Sequence, residues 1–144
     1  MAGIYLHIPF CRQACTYCNF HFSTLLKNKY DVLEAMLKEI EKQQSFFSDK
    51  TKIETIYFGG GTPSLLSVEE INHFLTKIFS LFNIDDLAEI TLEANPDDLT
   101  KKYLSDLKKE TKINRLSIGV QSFFIDDLRY MNRAHNAEDR KSVV

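Results

Sequence analysis

Residues 55–71 read TIYFGGGTPSLLSVEEI, and this stretch decides the fold. Its first four residues, Thr55 to Phe58, are β-branched or aromatic and predict a short buried strand. Three glycines follow that strand at once. Ser67 and Glu70 then form the sequence pattern of a capping box, which predicts the start of a helix. The stretch therefore predicts a strand, a glycine-rich turn and a helix in direct succession.

The same succession recurs along the chain, because short β-rich runs alternate with segments of helical period. The predicted strands are 4–8, 55–58, 88–93 and 115–120, and the predicted helices are 27–46, one starting at Ser67, 100–109 and 126–131. Apolar residues at helical spacing predict the buried stripes of the first three helices: Tyr30, Leu33, Leu37, Ile40; Ile71, Phe74, Leu75, Ile78, Phe82; Tyr103, Leu104, Leu107. About four β-α units in strict alternation predict an α/β fold with parallel strands and right-handed crossovers.

The length and composition limit the classes of protein to which this chain can belong. The 144 residues suit one domain, and the net charge of −2 gives no basic surface for nucleic acid. No apolar run approaches the roughly 18 residues that a membrane span needs. The N-terminus lacks the pattern of a signal peptide, so the sequence predicts a cytoplasmic protein without a membrane span.

All three cysteines of the chain, Cys11, Cys15 and Cys18, lie within eight residues. An odd number of thiols in a reducing compartment favours a metal site over disulfides. Three thiolates suit a [4Fe–4S] cluster, in which the fourth iron stays open for a small molecule. A zinc site with His21 or His7 as the fourth ligand is the alternative that the cysteines alone leave open.

Each chemically distinctive group follows a predicted strand. The cysteines follow the first strand, the glycines 59–61 follow the second, Glu93 ends the third, and Gln121 follows the fourth. In parallel sheets, ligands bind beyond the carboxyl ends of the strands. The sequence therefore predicts that these groups meet in one site.

Four segments in order carry a family resemblance: YLHIPFC at 5–11, GGGTPS at 59–64, EANP at 93–96 and SIGVQSF at 117–123. Together with the C-x3-C-x2-C spacing and Tyr17 before the third cysteine, they resemble the radical S-adenosylmethionine (SAM) enzymes. The most similar branch is the oxygen-independent coproporphyrinogen III oxidase group with its relative, the haem chaperone of radical SAM type. The resemblance runs from Gly3 to about Asp139 and makes zinc a minor alternative.

The resemblance implies that Cys11, Cys15 and Cys18 hold a [4Fe–4S] cluster in a loop at 9–22. The open iron would bind SAM, and one electron from the cluster would cleave a carbon–sulfur bond of SAM. A glycine-rich SAM loop is implied at 59–64. The residues implied to bind or approach SAM are Tyr5, Gly59, Gly60, Gly61, Thr62, Glu93, Gln121 and Arg133.

The implied roles differ, and each has an alternative. The glycines and Thr62 would contact the amino end of SAM, or the glycines would serve the turn geometry alone. Glu93 would accept from the ribose hydroxyls, and Gln121 would reach the ribose or base, or bond neighbouring backbone. Arg133 would pair with the SAM carboxylate, or be a surface arginine. Tyr5 would lie near the cluster, or be an inward-facing core tyrosine; His7 is predicted to be a hydrogen-bonded strand histidine.

The residue two positions after the third cysteine separates the two branches. The oxidases carry a fourth cysteine there, whereas this chain has Phe20. This difference favours the haem chaperone branch, whose partners would be haem or porphyrinogen, a reducing electron donor and a haem-accepting protein. The oxidase, which decarboxylates propionate side chains in haem biosynthesis, is the alternative.

The family's partial TIM-type barrel has six β-α units, and this chain supplies about four. The chain is therefore expected to be a single truncated radical SAM core domain, 1–144, with the later units and the C-terminal extension missing. Residues 140–144 no longer resemble the family. Whether such a chain turns over a substrate by itself is left open.

Overall fold

The computed structural model describes residues 2–136. Residues 140–144, which were predicted to depart from the family, lie outside this range. Four strands and four α-helices alternate, as predicted. Their bounds are β1 Ala2–Ile8, α1 Lys29–Lys42, β2 Ile53–Gly60, α2 Val68–Leu81, β3 Ile84–Ala94, α3 Lys101–Glu110, β4 Arg115–Ile118 and α4 Ile125–Tyr130. Among these residues, no helix combines the length and apolar character that crossing a membrane requires.

The strands form one parallel sheet in the order β1-β2-β3-β4. This order confirms the predicted α/β fold, because each strand pairs with the next strand of the chain. All four carboxyl ends consequently lie at one edge of the sheet. The register sets Tyr5 opposite Tyr57, His7 opposite Gly59, and Glu93 opposite Ser117.

The two faces of the sheet differ in chemistry, because successive side chains point to opposite faces. One face packs with α1, α2 and α3 into the core, which includes Ile8, Phe58 and Leu92, each fully buried. Phe58 meets Phe74 of α2 edge to face, with ring centroids 6.3 Å apart. The other face carries polar and aromatic side chains.

The start of α2 is fixed by its capping box. Ser67 Oγ accepts from the Glu70 backbone N–H at 3.1 Å, and the Ser67 N–H donates to Glu70 Oε2 at 2.8 Å. Two backbone donors at the helix start, which no helical carbonyl can reach, are thereby satisfied. The boundary predicted from Ser67 and Glu70 is confirmed.

The first helical segment covers about the predicted range in three parts. The α-helix spans Lys29–Lys42, and 3-10 turns at Leu26–Asn28 and Gln44–Phe46 flank it. The predicted buried stripe was wrong at Tyr30, which is 72% exposed, whereas Leu33 and Ile40 are buried. A tyrosine can remain at the surface because its hydroxyl end is polar.

Candidate functional site

A cleft of about 450 Å³ lies beyond the carboxyl ends of the four strands. This volume is within the range of roughly 300–1,000 Å³ that is typical of small-molecule sites. Loops after all four strands contribute to its walls. Nine of the eleven predicted site residues line it: Cys11, Cys15, Cys18, Gly60, Gly61, Thr62, Glu93, Gln121 and Arg133. The structure therefore brings together the groups that the sequence placed at the strand ends.

The loop that carries the cysteines is closed at its base by Ser23. The Cys11 N–H donates to the Ser23 carbonyl at 3.0 Å, and the Ser23 N–H donates to the Pro9 carbonyl at 2.8 Å. These two bonds join Pro9 and Cys11 to Ser23 and close the loop between them. The loop is thus a closed unit attached to the end of β1.

The segment after α4 holds the far side of this loop. The Thr16 N–H donates to the Met131 carbonyl at 3.2 Å. Gln13 Nε2 donates to the Asn132 carbonyl and Asn132 Nδ2 donates to the Ala14 carbonyl, each at 2.8 Å. Backbone and side-chain bonds from the fourth β-α unit therefore fix the conformation of the cysteine loop.

The three cysteines are free thiols of intermediate exposure. Thr62 Oγ1 donates to Cys11 Sγ at 3.4 Å, and Arg133 Nη1 donates to Cys15 Sγ at 3.5 Å. Burial raises the pKa of the Cys11 thiol, and the Thr62 hydrogen bond acts in the opposite direction. The Thr62 donor thus favours the Cys11 thiolate, the form that binds a metal.

Among the described residues, no three His, Cys, Asp or Glu side chains are placed to hold a metal ion together. An iron–sulfur cluster does not require such convergence, because each thiolate binds a different iron. Three soft sulfur donors from one loop, all facing the same cleft, therefore fit a cluster. The cysteines share this cleft with a cation, Arg133, and a carboxylate, Glu93.

The histidines named for a zinc site lie apart from this cleft, whose lining residues do not include His7 or His21. His7 Nε2 bonds the His21 carbonyl at 3.1 Å, and His7 Nδ1 bonds the Tyr5 hydroxyl at 3.2 Å. His7 is therefore the hydrogen-bonded strand histidine that was predicted. Within residues 2–136, no histidine is grouped with the cysteines as a metal site.

The glycine loop joins the end of β2 to the base of the cysteine loop. The Gly61 N–H donates to the Ile8 carbonyl at 2.8 Å, and the Thr62 N–H donates to the Phe10 carbonyl at 2.7 Å. A Cβ on Gly61 would lie 2.6 Å from the Phe10 carbonyl oxygen. Gly61 is therefore required for close approach of two backbones. Gly60 has a φ of 109°, a backbone conformation that residues with a side chain rarely adopt.

Glu93 ends β3 with its carboxylate at the cleft. Its Oε1 accepts from the Tyr57 hydroxyl at 2.7 Å, and its Oε2 accepts from the Gly60 N–H at 3.2 Å. The hydrogen bond to Glu93 is the first cause of a raised pKa at Tyr57, since it stabilises the neutral phenol. A carboxylate has about four acceptor positions, so Glu93 keeps capacity for a ligand hydroxyl.

Tyr5 and Gly59 are the two predicted site residues that do not line the cleft. Tyr5 is 58% exposed and stacks on Tyr57 with ring centroids 6.0 Å apart. The alternative of a buried core tyrosine is therefore wrong. A Cβ on Gly59 would lie 2.8 Å from a ring carbon of each tyrosine, so Gly59 makes room for both rings.

Gln121 lines the cleft in a strained conformation. Its φ is 62°, a value that is uncommon for residues other than glycine and is concentrated at functional sites. A Cβ on Gly119 would lie 3.0 Å from Gln121 Nε2. Gly119 therefore leaves space for the Gln121 amide at the end of β4.

Arg133 is bonded on four sides, and the alternative of a surface arginine is wrong. Its Nη1 donates to Cys15 Sγ and to the Tyr17 hydroxyl, the latter at 3.3 Å. Its Nη2 donates to Asn95 Oδ1 at 2.7 Å and to the Gly119 carbonyl at 2.8 Å. All four Nη protons are thereby used within the protein. The buried Nε of Arg133 has no hydrogen-bond partner among the described residues, so one guanidinium proton remains for a ligand.

Asn95 is a cleft residue that the sequence analysis did not single out. Its Nδ2 donates to Thr62 Oγ1 at 3.4 Å, and its Oδ1 accepts from Arg133. In the sequence, Asn95 belongs to the EANP segment at 93–96 and marks the end of a strand, and neither feature gives it a role of its own. Its position two residues after Glu93 was the signal that could have marked it, because both side chains face the same edge of the sheet.

The family profile described as the Radical SAM superfamily matches residues 5–144. The chain is 40% identical over 95% of its length to the "Heme chaperone HemW" of Buchnera aphidicola subsp. Schizaphis graminum, and 37% identical over 99% to that of Haemophilus influenzae. It is 36% identical over 99% to "Radical S-adenosyl methionine domain-containing protein 1, mitochondrial" of Danio rerio. It spans 36%, 38% and 32% of these relatives, about a third of their length.

Two solved structures share the fold. Coproporphyrinogen III oxidase (HemN) from Escherichia coli, a radical SAM enzyme, matches with a TM-score of 0.85 and 31% identity, over 96% of this chain and 32% of that one. Elp3 of Methanocaldococcus infernus matches with a TM-score of 0.54 and 18% identity, over 96% of this chain and 34% of that one, which shows the fold alone. The family profile covers nearly the whole chain and the predicted motifs meet in one cleft, so the chain belongs to the radical SAM superfamily.

Proposed function

We propose that this chain is the cluster- and SAM-binding core of a radical SAM protein of the haem chaperone type. The observation that carries the proposal is the shared cleft, where three cysteines of one loop face a glycine loop, a carboxylate and a guanidinium. When bound, the cluster and SAM would supply reductive cleavage of a carbon–sulfur bond. The chain's own residues bind, orient and shield these groups.

The proposed binding roles follow from the hydrogen bonds of the site. Cys11, Cys15 and Cys18 would hold the cluster. The backbone of Gly60 and Gly61 can approach a ligand closely because neither residue has a side chain. Thr62 is 4% exposed and directs its hydroxyl to Cys11, so we assign it to the cluster side of the cleft.

The two charged residues would bind opposite ends of SAM. The carboxylate of Glu93 suits the two hydroxyls of a ribose, and Gln121 lines the same cleft and can reach the ribose or the base. Arg133 would meet the SAM carboxylate through its unpartnered Nε, or by releasing Cys15 or Tyr17, both of which it contacts now. Tyr5 would act outside the cleft, through its contact with Tyr57.

The haem chaperone branch is supported by the curated relatives that carry this name. It is also supported by Phe20, which lines the cleft and is 73% exposed where the oxidase branch has a cysteine. The partners that we propose are haem, an electron donor and a haem-accepting protein. The free cysteines suit a reducing compartment, and we propose the cytoplasm.

The second candidate is an oxygen-independent coproporphyrinogen III oxidase. The fold match to the oxidase from Escherichia coli, with a TM-score of 0.85, favours it. This activity would oxidatively decarboxylate propionate side chains of a porphyrinogen. The two candidates share the cluster and SAM, so only the macrocycle separates them.

The test is anaerobic reconstitution of the chain, with the Cys18→Ser variant as the control. We expect about four irons per chain and a reduced electron paramagnetic resonance spectrum that SAM changes. We expect the control to lose both. Bound zinc, or a cluster spectrum indifferent to SAM, would contradict the proposal.

The reconstituted chain is then incubated separately with haem and with coproporphyrinogen III in the presence of SAM and reductant. Stable haem binding without a porphyrin product supports the chaperone. A decarboxylated product supports the oxidase and contradicts the chaperone. A chain that binds neither macrocycle would contradict the haem assignment while leaving the cluster assignment intact.

A further inference from the structure

Two of the three cysteines are connected through one side-chain amide. Thr62 donates to Cys11 Sγ, and Asn95 Nδ2 donates to the same Thr62 oxygen. On its other side, Asn95 Oδ1 accepts from Arg133, which donates to Cys15 Sγ. The chain of bonds Cys11–Thr62–Asn95–Arg133–Cys15 therefore spans the cleft. Asn95 lies at its centre.

The orientation of the amide follows from the chemistry of its partners. Arg133 can only donate, so the Asn95 atom that it meets must be the carbonyl oxygen. Nδ2 must then face Thr62, whose oxygen accepts from it. Because Thr62 accepts on this side, its own proton is left for Cys11 Sγ. Arg133 thus fixes the orientation of the amide, and the amide sets the direction of the two bonds at Thr62.

The surroundings hold Asn95 and Thr62 in this arrangement. The Asn95 N–H donates to Ser64 Oγ at 3.2 Å, and the Ser64 hydroxyl donates to Asp98 at 2.6 Å. Ser64 and Thr62 are 5% and 4% exposed, so neither hydroxyl exchanges freely with water. Pro96 follows at once and restricts the backbone of Asn95. These contacts pre-organise the amide before any ligand binds.

We propose that Asn95 is a positioning residue that directs the Thr62 hydroxyl onto Cys11 and holds Arg133 beside Cys15, and thereby raises the reduction potential of the bound cluster. The inference rests on the proposed function. Hydrogen bonds to cysteine sulfurs favour the reduced cluster, which carries more negative charge. An amide performs this task, whereas a carboxylate of the same shape would accept the Thr62 proton and withdraw it from Cys11.

The experiment is a redox titration of the reconstituted chain without SAM, followed by electron paramagnetic resonance. The variants are Asn95→Asp, Thr62→Val and the double variant, with Thr62→Ser as the control that keeps the hydroxyl. We expect Asn95→Asp and Thr62→Val each to shift the potential to more negative values, and Thr62→Ser to leave it near wild type. In the Thr62→Val background, the shift from Asn95→Asp should be clearly smaller.

Equal shifts from Asn95→Asp in both backgrounds would overturn the inference, since they would show the effect of added charge alone. An unchanged potential in Thr62→Val would overturn it as well. Asn95→Ala removes the bonds without adding charge, and it keeps the test decisive if Asn95→Asp does not retain the cluster. Its shift should also shrink in the Thr62→Val background. A wild-type chain that holds four irons and responds to SAM separates these outcomes from failure of the proposed function, whereas a wild-type chain without a cluster refutes both.

Discussion

Replacing Gly61 by alanine should uncouple the glycine loop from the cysteine loop. The added Cβ would lie 2.6 Å from the Phe10 carbonyl oxygen and 2.9 Å from that of Ile8. These neighbours are backbone atoms and cannot rotate away. To reach an ordinary contact of 3.4 Å, the Phe10 oxygen must move by about 0.8 Å.

This displacement sets the magnitude of the effect. The Phe10 oxygen must move by about 0.8 Å and the Ile8 oxygen by about 0.5 Å, so the bonds of 2.7 Å to Thr62 and 2.8 Å to Gly61 lengthen beyond the usual N–H···O range. Their loss costs about 0.5–1.5 kcal/mol each, and the steric strain adds about 1–3 kcal/mol. The unfolded chain loses some entropy with alanine, which returns about 0.4–1 kcal/mol. The free energy of unfolding should therefore fall by about 1–5.5 kcal/mol.

Gly59→Ala is the matched control, two residues away in the same glycine triplet. The atoms nearest to its Cβ would be side-chain atoms of Tyr5 and Tyr57, and Tyr5 is largely exposed and can move. Its cost should be about 1 kcal/mol or less. Urea denaturation of the metal-free chains, followed by circular dichroism, measures both values. Equal losses in the two variants, or a loss below about 1 kcal/mol for Gly61→Ala, would refute the steric argument.

Two further predictions concern the capping box and the cleft carboxylate. Ser67→Ala should lower the free energy of unfolding by about 1 kcal/mol, because the Glu70 N–H loses its acceptor. Urea denaturation measures this change, and an unchanged midpoint would contradict the prediction. Glu93→Gln should lower the pKa of Tyr57, because the phenol loses the negatively charged acceptor that favours its neutral form. Ultraviolet titration measures this pKa, and the Tyr57→Phe variant identifies which signal belongs to Tyr57. An unshifted Tyr57 pKa would count against the hydrogen bond to Glu93.

The fold was predictable because local patterns determine it. Apolar runs and helical spacings gave the alternation of strands and helices, and parallel pairing in chain order follows from short crossovers. The shared cleft was predictable for the same reason, since the distinctive residues follow the strands. Tyr30 shows the limit, because helical spacing placed it on the buried stripe whereas the folded chain leaves it 72% exposed.

The division of roles within the site depends on tertiary contacts that the sequence does not contain. Gly59 and Gly61 are the same residue type, yet Gly59 faces tyrosine side chains that can move and Gly61 faces backbone atoms that cannot. Asn95 reads as the end of a strand until the structure sets it between Thr62 and Arg133. The hydrogen bond from Arg133 to Cys15 joins residues 118 positions apart in the sequence, and no local sequence pattern predicts such a contact.

The bonds between the cysteine loop and the segment after α4 impose an order of events during synthesis. The cysteine loop leaves the ribosome well before its partners Met131, Asn132 and Arg133. A nascent chain that has reached only β3 therefore carries three thiols without the hydrogen bonds that fix their loop. Under the proposed function, assembly of the cluster would accordingly follow the docking of the fourth β-α unit.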